Sequence, residues 1–266
     1  MKTDQKETPA GHYAWINGIR MYYEIYGNVT GIPLVLVHGG GSTIPSNWEL
    51  LLPFFMNQYR VIAMELQAHG RTGDRDAPES FRQDADDVHA LLKLLQVPQA
   101  HIAGFSDGAC TAMEIAIRYP EIVHKIVLIS GNYKRSGMVP GFFEGLEAAT
   151  FDDMPAPLKT AYLDVNPDPE GLLNMFQKDR AKRLMFQDVP EALLNGIKAP
   201  ALLMVGDQDV ITVPHTVEMW QQIPGARLAI LPGNHGSFIG EIFTREAGSS
   251  MPAMAANIIS NFLNQD

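Results

Sequence analysis

Ser106 lies in the run Gly104-Phe105-Ser106-Asp107-Gly108, directly after the apolar stretch Gln99–Ala103 and directly before the helical pattern Ala109–Tyr119. A serine between two glycines at a strand-to-helix turn has the form of a nucleophile elbow. The turn strains the serine backbone and leaves no room for side chains at its flanks, and it lifts the hydroxyl clear of the sheet. A serine hydroxyl is a weak nucleophile and needs a base within hydrogen-bonding reach. Two later segments supply candidates in matching positions. The apolar run Ala201–Val205 leads into Gly206-Asp207-Gln208-Asp209, and Arg227–Leu231 leads into Pro232-Gly233-Asn234-His235-Gly236. A serine, an acid and a histidine thus each follow the carboxyl end of a strand, the edge of an open parallel sheet where ligands bind.

These residue types divide the work of acyl transfer. His235 is the candidate base for Ser106, and Asp209 or Asp207 the acid that orients its ring and stabilises the imidazolium. Oxyanion stabilisation needs two N–H donors. One is expected from the backbone of Asp107, the residue after the nucleophile. The other is expected from His38-Gly39-Gly40-Gly41, which ends the apolar strand Ile32–Val37 and lets the backbone approach a ligand unobstructed. The Asp107 carboxylate opens a helix, where it interacts favourably with the helix dipole. No histidine pair at helical spacing with a carboxylate, no cysteine cluster and no dinucleotide glycine motif is present, so neither a metal nor a cofactor is expected.

Positioning these groups calls for alternating strands and helices. His12–Ile16 and Ile19–Tyr26 flank Asn17-Gly18, a hairpin signal. Strands follow at Leu34–Val37, Arg60–Met64, Gln99–Ala103, Lys125–Ile129, Ala201–Val205 and Arg227–Leu231. Helices are predicted near Trp48–Met56, over Phe81–Leu95, after the elbow, and over Ser250–Leu263. The pattern is an α/β, doubly wound, mostly parallel sheet. It breaks over residues 132–198, which carry prolines and scattered Met and Phe but no buried-strand run. That stretch reads as a helical cap over the site, between core segments 11–131 and 199–266. Among its large apolar side chains a minority are expected to line a substrate pocket. Trp48 and Met138 are candidate pocket walls that sequence alone does not separate from core.

The 266 residues can bury one large core, and 46% hydrophobic with 19% charged residues is a globular composition. A formal net charge of −10 without a basic stripe argues against nucleic acid or an anionic membrane surface as partner. The single cysteine, Cys110, excludes an internal disulfide and falls on the elbow helix, where a small packed residue suits. Met1–Pro9 is polar, with no apolar signal segment, and no stretch approaches a membrane span. A cytoplasmic location is therefore expected, although a polar start suits a processed end as well.

Taken together, His38–Gly41, Glu65-Leu66-Gln67-Ala68-His69-Gly70-Arg71-Thr72, Gly104–Gly108, Gly206–Asp209 and Gly233–Gly236 resemble the α/β-hydrolase superfamily from about Gly11 onward. The Gly-x-Ser-Asp-Gly elbow resembles the subgroup containing valacyclovir hydrolase, which acts on α-amino-acid esters. The resemblance implies an α/β-hydrolase fold with a Ser106–His235–Asp209 triad. It also implies Gly40 as the second oxyanion donor, structural roles for His38 and His69, and an Asp107 carboxylate facing a substrate ammonium. Glu65 stands where the family usually has another acidic residue. The implied activity is hydrolysis of a small-molecule carboxylic ester through an acyl-enzyme. Lactone hydrolysis, C–C bond hydrolysis, perhydrolysis and a slow-turnover small-molecule receptor stay open on the same triad. Asp-nucleophile dehalogenases and epoxide hydrolases are set aside by Ser106.

Overall fold

The computed structural model describes residues 11–265; the polar Met1–Pro9 lies outside them. The chain opens with β1 (Gly11–Ile16) and β2 (Ile19–Tyr26). They are joined by Asn17 and Gly18, which both take positive φ, at 45° and 88°. That pair of dihedrals matches the twist of a two-residue hairpin, which explains the Asn-Gly choice. Next come β3 (Leu34–Val37), α1 (Ile44–Trp48), α2 (Leu52–Phe55), β4 (Val61–Met64), α3 (Phe81–Leu94), β5 (Ala100–Phe105), α4 (Asp107–Arg118) and β6 (Val123–Ile129). After the long connection come β7 (Ala201–Gly206), α9 (Val213–Gln222), β8 (Arg227–Leu231) and α10 (Met251–Leu263).

One sheet runs β1-β2-β4-β3-β5-β6-β7-β8. The β1–β2 and β2–β4 pairs are antiparallel and every later pair is parallel. The central strands are continuous apolar runs because both their faces are covered. In β3, Val35 and Val37 pack with α3, α4 and α9, whereas Leu34 and Leu36 pack with α1, α2 and α10. The period of two thus divides one strand between two cores. Truncating a fully buried residue such as Leu91 or Ile259 to alanine should cost about 2–5 kcal/mol.

Sequence and structure differ at three places. The segment expected as one helix near Trp48–Met56 is two short ones, and α9 forms where the sequence pattern predicts no helix. The strand β8, expected to be buried, is an edge strand with Arg227 and Ile230 exposed.

Between β6 and β7 lie α5 (Phe142–Ala148), α6 (Ala156–Val165), α7 (Pro169–Leu184) and α8 (Glu191–Asn195), with no strand among them. Met154, Tyr162, Leu172 and Met175 form a small apolar cluster within this stretch, separate from the two sheet cores. The helix α5 buries no residue fully. No helix of the described residues is long and apolar enough to cross a membrane.

Candidate active site

Ser106 joins β5 to α4 with φ 55° and ψ −118°. This is a conformation that side-chain-bearing residues rarely adopt, and it persists only where surrounding structure enforces it. Both flanking glycines are obligatory on steric grounds. A Cβ on Gly104 would stand 2.0 Å from the Gly108 carbonyl oxygen, and one on Gly108 would stand 2.2 Å from that of Val37. The elbow therefore packs backbone against backbone, and the Ser106 N–H donates to the Ile129 carbonyl at 2.8 Å.

The loops after β5, β7 and β8 converge. Ser106 Oγ lies 2.9 Å from His235 Nε2, and His235 Nδ1 lies 2.7 Å from Asp209 Oδ1. The second Asp209 oxygen accepts from Ser130 Oγ at 2.6 Å, and Oδ1 accepts from the Ile211 N–H at 3.0 Å. Burial pushes the Asp209 carboxyl up, but the His235 charge and these hydrogen bonds outweigh it and hold the group below the usual carboxylate range. Asp207, the rival acid, is exposed and accepts from the Gly233 N–H at 2.9 Å, so it ties the β7 and β8 loops together. Thr244 Oγ1 donates to the His235 carbonyl at 2.8 Å and fixes that loop from below.

The glycine loop shows how its donors are shared out. The Gly39 N–H donates to Asn47 Oδ1 at 2.8 Å and the Gly41 N–H to Asp179 Oδ2 at 2.6 Å. Among the described residues no acceptor takes the Gly40 N–H, and Gly40 lines the cavity beside Ser106. Asp107 is the first residue of α4, so its N–H has no partner one turn back within the helix. The other histidines have other tasks. His38 Nδ1 donates to the Gly39 carbonyl and its Nε2 accepts from the Leu66 N–H, a neutral tautomer that burial favours by pushing its pKa down to about 3. His215 Nε2 accepts from the Tyr133 N–H, and His101 and His124 meet edge to face away from the site.

A cavity of about 410 Å³ opens onto Ser106 and His235, lined by Met138, Phe142, Leu146, Met154, Leu158 and Phe176 among others. All six belong to the β6–β7 connection. Met138 thus stands at the cavity wall. Trp48 does not: it is 0% exposed and packs in the apolar layer with α10. Its place on α1, one turn beyond the glycine loop, turns the indole toward the sheet rather than the cavity.

Asp107 does reach the cavity wall, but its carboxylate is occupied. Arg183 Nη2 donates to Asp107 Oδ1, Arg183 Nη1 donates to Asn132 Oδ1 at 2.9 Å, and Lys182 Nζ stands 3.8 Å from Asp107 Oδ2. Both basic residues belong to α7. Lys182 also reaches Glu79 at 3.2 Å, Asp84 at 3.4 Å and Asp179 at 3.2 Å. His69 Nε2 lies 2.9 Å from Asp179 Oδ2. His69, Glu79 and Asp179 bring ligand-type atoms within 4.8 Å of one another, and the Lys182 ammonium contacts both carboxylates. Burial lowers the His69 pKa, yet the Asp179 charge and hydrogen bond prevail and raise it to about 9. Glu79, desolvated more than Lys182 compensates, rises to about 7. This buried network was not foreseen from sequence, apart from a structural role for His69. Its one sequence signal is the Asp179-x-x-Lys182-Arg183 spacing, which places an acid and a base on one helix face. Glu65 is buried and pairs with Arg71 Nη2 at 2.6 Å, bracing the loop after β4.

Known proteins resemble this chain along most of its length. It is 27% identical over 240 residues to the dihydrolipoyllysine-residue acetyltransferase component of the acetoin cleaving system of Pseudomonas putida, a match covering 87% of this chain and 61% of that protein. It is 31% identical over 152 residues to a 2-hydroxymuconate semialdehyde hydrolase of Pseudomonas sp., covering 56% of this chain and 51% of that one. In these two cases the chain spans less than two thirds of the relative's length. The human serine hydrolase BPHL is 26% identical over 233 residues, covering 83% of this chain and 78% of that one. Among solved structures, the meta-cleavage product hydrolase of Pseudomonas fluorescens superposes with a TM-score of 0.77 at 21% identity, covering 96% and 97% of the two chains. An enol-lactonase of Burkholderia xenovorans superposes at 0.72 with 24% identity, covering 96% and 100%. Residues 34–241, from the first parallel strand to just beyond the histidine loop, match the model of the alpha/beta hydrolase family, and to that family this chain belongs.

Proposed function

We propose that the protein is a serine hydrolase that cleaves a neutral, apolar carboxylic ester through an acyl-enzyme. The observation carrying this reading is the continuous Ser106–His235–Asp209 relay, at 2.9 and 2.7 Å, beneath a cavity walled mainly by apolar side chains. In this scheme His235 Nε2 takes the proton as Ser106 Oγ bonds to the ester carbonyl carbon. The carbonyl oxygen becomes an oxyanion held by the N–H groups of Gly40 and Asp107. Collapse expels the alkoxide, which receives the proton from His235. Water then attacks the acyl-enzyme by the same route, with His235 again as base, and releases the acid. Asp209 stays ionised throughout and orients the ring.

The choice of a neutral substrate follows from the Asp107–Arg183 pair. A substrate ammonium would have to displace Arg183 from the carboxylate, leaving a buried guanidinium without its partner. The β6–β7 connection acts as the lid in this reading, because it supplies more than half of the residues lining the cavity. The decisive experiment mixes the enzyme with excess p-nitrophenyl esters of graded acyl length and follows both the burst and the intact mass. The expected result is one acyl group per chain, sustained turnover and neither in Ser106→Ala. Stoichiometric labelling without sustained release would favour a receptor instead, and turnover of lactones but not of open-chain esters would move the substrate class.

A further inference from the structure

The glycine loop that should supply an oxyanion donor has little stiffness of its own. Three successive glycines carry no side chains to restrict their dihedrals, and Gly41 already sits at φ 67°. A donor that lowers a barrier must nevertheless be fixed before the reaction, since reorienting it during attack would consume the benefit. Within the loop, His38 Nδ1 and the Ser42 N–H donate to the Gly39 carbonyl at 2.8 and 3.3 Å; further restraint comes from outside it, on both sides of the peptide that presents the Gly40 N–H. On one side, Asn47 of α1 accepts from the Gly39 N–H. On the other, Asp179 accepts from the Gly41 N–H at 2.6 Å. Asn47 belongs to the core, but Asp179 belongs to α7, in the connection that covers the cavity. Asp179 is itself clamped by His69 Nε2 at 2.9 Å and Lys182 Nζ at 3.2 Å.

We infer that Asp179 is a positioning residue for the oxyanion hole: by capturing the Gly41 N–H it holds the Gly39–Gly40 peptide with its own N–H toward Ser106. The hole is then complete only when α7 is seated, so covering the substrate and stabilising the transition state are one event. This rests on the serine-hydrolase reading above, and the test separates the two.

The probe is phenylboronic acid. Ser106 Oγ forms a bond to boron, the serine proton passes to His235 and nothing leaves, so the product is a tetrahedral boronate anion whose oxygen occupies the oxyanion position. In the wild type, binding should depend on Ser106. Asp179→Ala should weaken boronate affinity by roughly 10- to 100-fold and lower kcat in parallel, with KM for a p-nitrophenyl ester changed by less than about threefold. Asp179→Asn, whose amide oxygen accepts the same N–H, should recover most of the boronate affinity although the charge is gone. If Asp179→Ala leaves boronate affinity intact, or weakens boronate and ester binding equally, or if the asparagine variant behaves like alanine, the inference is overturned. A measurement on the unmodified protein covers the case of an alanine variant that does not fold. On boronate binding the Gly40 amide proton should move downfield while that of Gly41 stays in place, and the reverse would overturn the assignment. Boronate binding that survives Ser106→Ala would instead overturn the serine-hydrolase reading, and this inference with it.

Discussion

Arg183 donates to the carboxylate of Asp107, so the residue that follows the nucleophile is bound through its side chain to a helix from the far side of the cavity. Its backbone N–H, at the first position of α4, has no partner one turn back within the helix, and its charge is already balanced. For a matched pair of esters, one with an α-ammonium and one isosteric and neutral, the wild type should show no preference for the amine. Asp107→Asn should strand Arg183 without a counter-ion, lowering stability by about 3–5 kcal/mol. Asp107→Asn/Arg183→Met, which removes both charges, should recover part of that loss. Thermal melts and kcat/KM for both esters check this. An amine preference in the wild type that disappears in Asp107→Asn would reverse the substrate reading.

Alanine at Ser106, His235 or Asp209 should each reduce kcat by roughly 10³-fold or more with little change in melting temperature. Asp207→Ala should leave kcat within about threefold, since that carboxylate faces the Gly233 N–H rather than His235. Ser130→Ala is the subtler variant. It removes the 2.6 Å donor to Asp209 Oδ2 and, among the described residues, leaves that oxygen with the Gly206 N–H at 3.4 Å. A kcat loss of about tenfold at unchanged KM is expected, a misplaced-orienter effect rather than a binding one. Steady-state kinetics on the four alanine variants besides Ser106→Ala, run side by side, decide the order.

Phe142 and Phe176 face the cavity, whereas Phe143 lies under the Arg135 guanidinium, 3.6 Å from its ring centroid, and does not. Phe142→Ala and Phe176→Ala should therefore reorder preference across acyl chains of increasing length, and Phe143→Ala should not. An identical preference order in all three would remove the connecting helices from the substrate's surroundings.

His69 gives a stability–pH prediction with a definite sign. Its folded pKa is raised from 6.5 to about 9, so the folded chain holds a proton that the unfolded chain has lost between those values. The stabilisation is fully present below pH 6.5 and disappears as pH rises through about 9, on the order of a few kcal/mol in all. Glu79 adds the same sign over a lower range, 4.5 to about 7. Denaturant midpoints should fall from pH 6.5 to 9 in the wild type and be flatter in His69→Gln. A wild-type profile that is level or rises there would refute the ion pair with Asp179.

The meeting of Ser106, His235 and Asp209 was legible because each follows an apolar strand, and strand ends in a parallel sheet share one edge. The acid was ambiguous between Asp207 and Asp209, because only Gln208 separates them and the turn decides which faces the histidine. Helix α9 was missed since Pro214 near its start reads as a loop signal, although proline is well tolerated in a first helical turn. Trp48 shows the opposite limit. A tryptophan just after a catalytic loop can face the cavity or the core, and only the direction of α1 tells which. Asp179, Lys182 and Arg183 were unreadable for a different reason. Charges on a helix ordinarily mean a solvated face, and their partners Glu79, Asp84 and Asp107 lie at least 72 residues upstream.

The seating of α7 has a further consequence. Its apolar residues Leu172 and Met175 are spent on neighbours within the connection, while Asp179, Lys182 and Arg183 grip the glycine loop, α3 and α4. Such a joint responds to the dielectric constant of the medium rather than to buried area. A water-miscible organic solvent loosens apolar layers but strengthens attraction between opposite charges. As solvent is added, the two sheet cores should therefore give way before the roof of the cavity lifts.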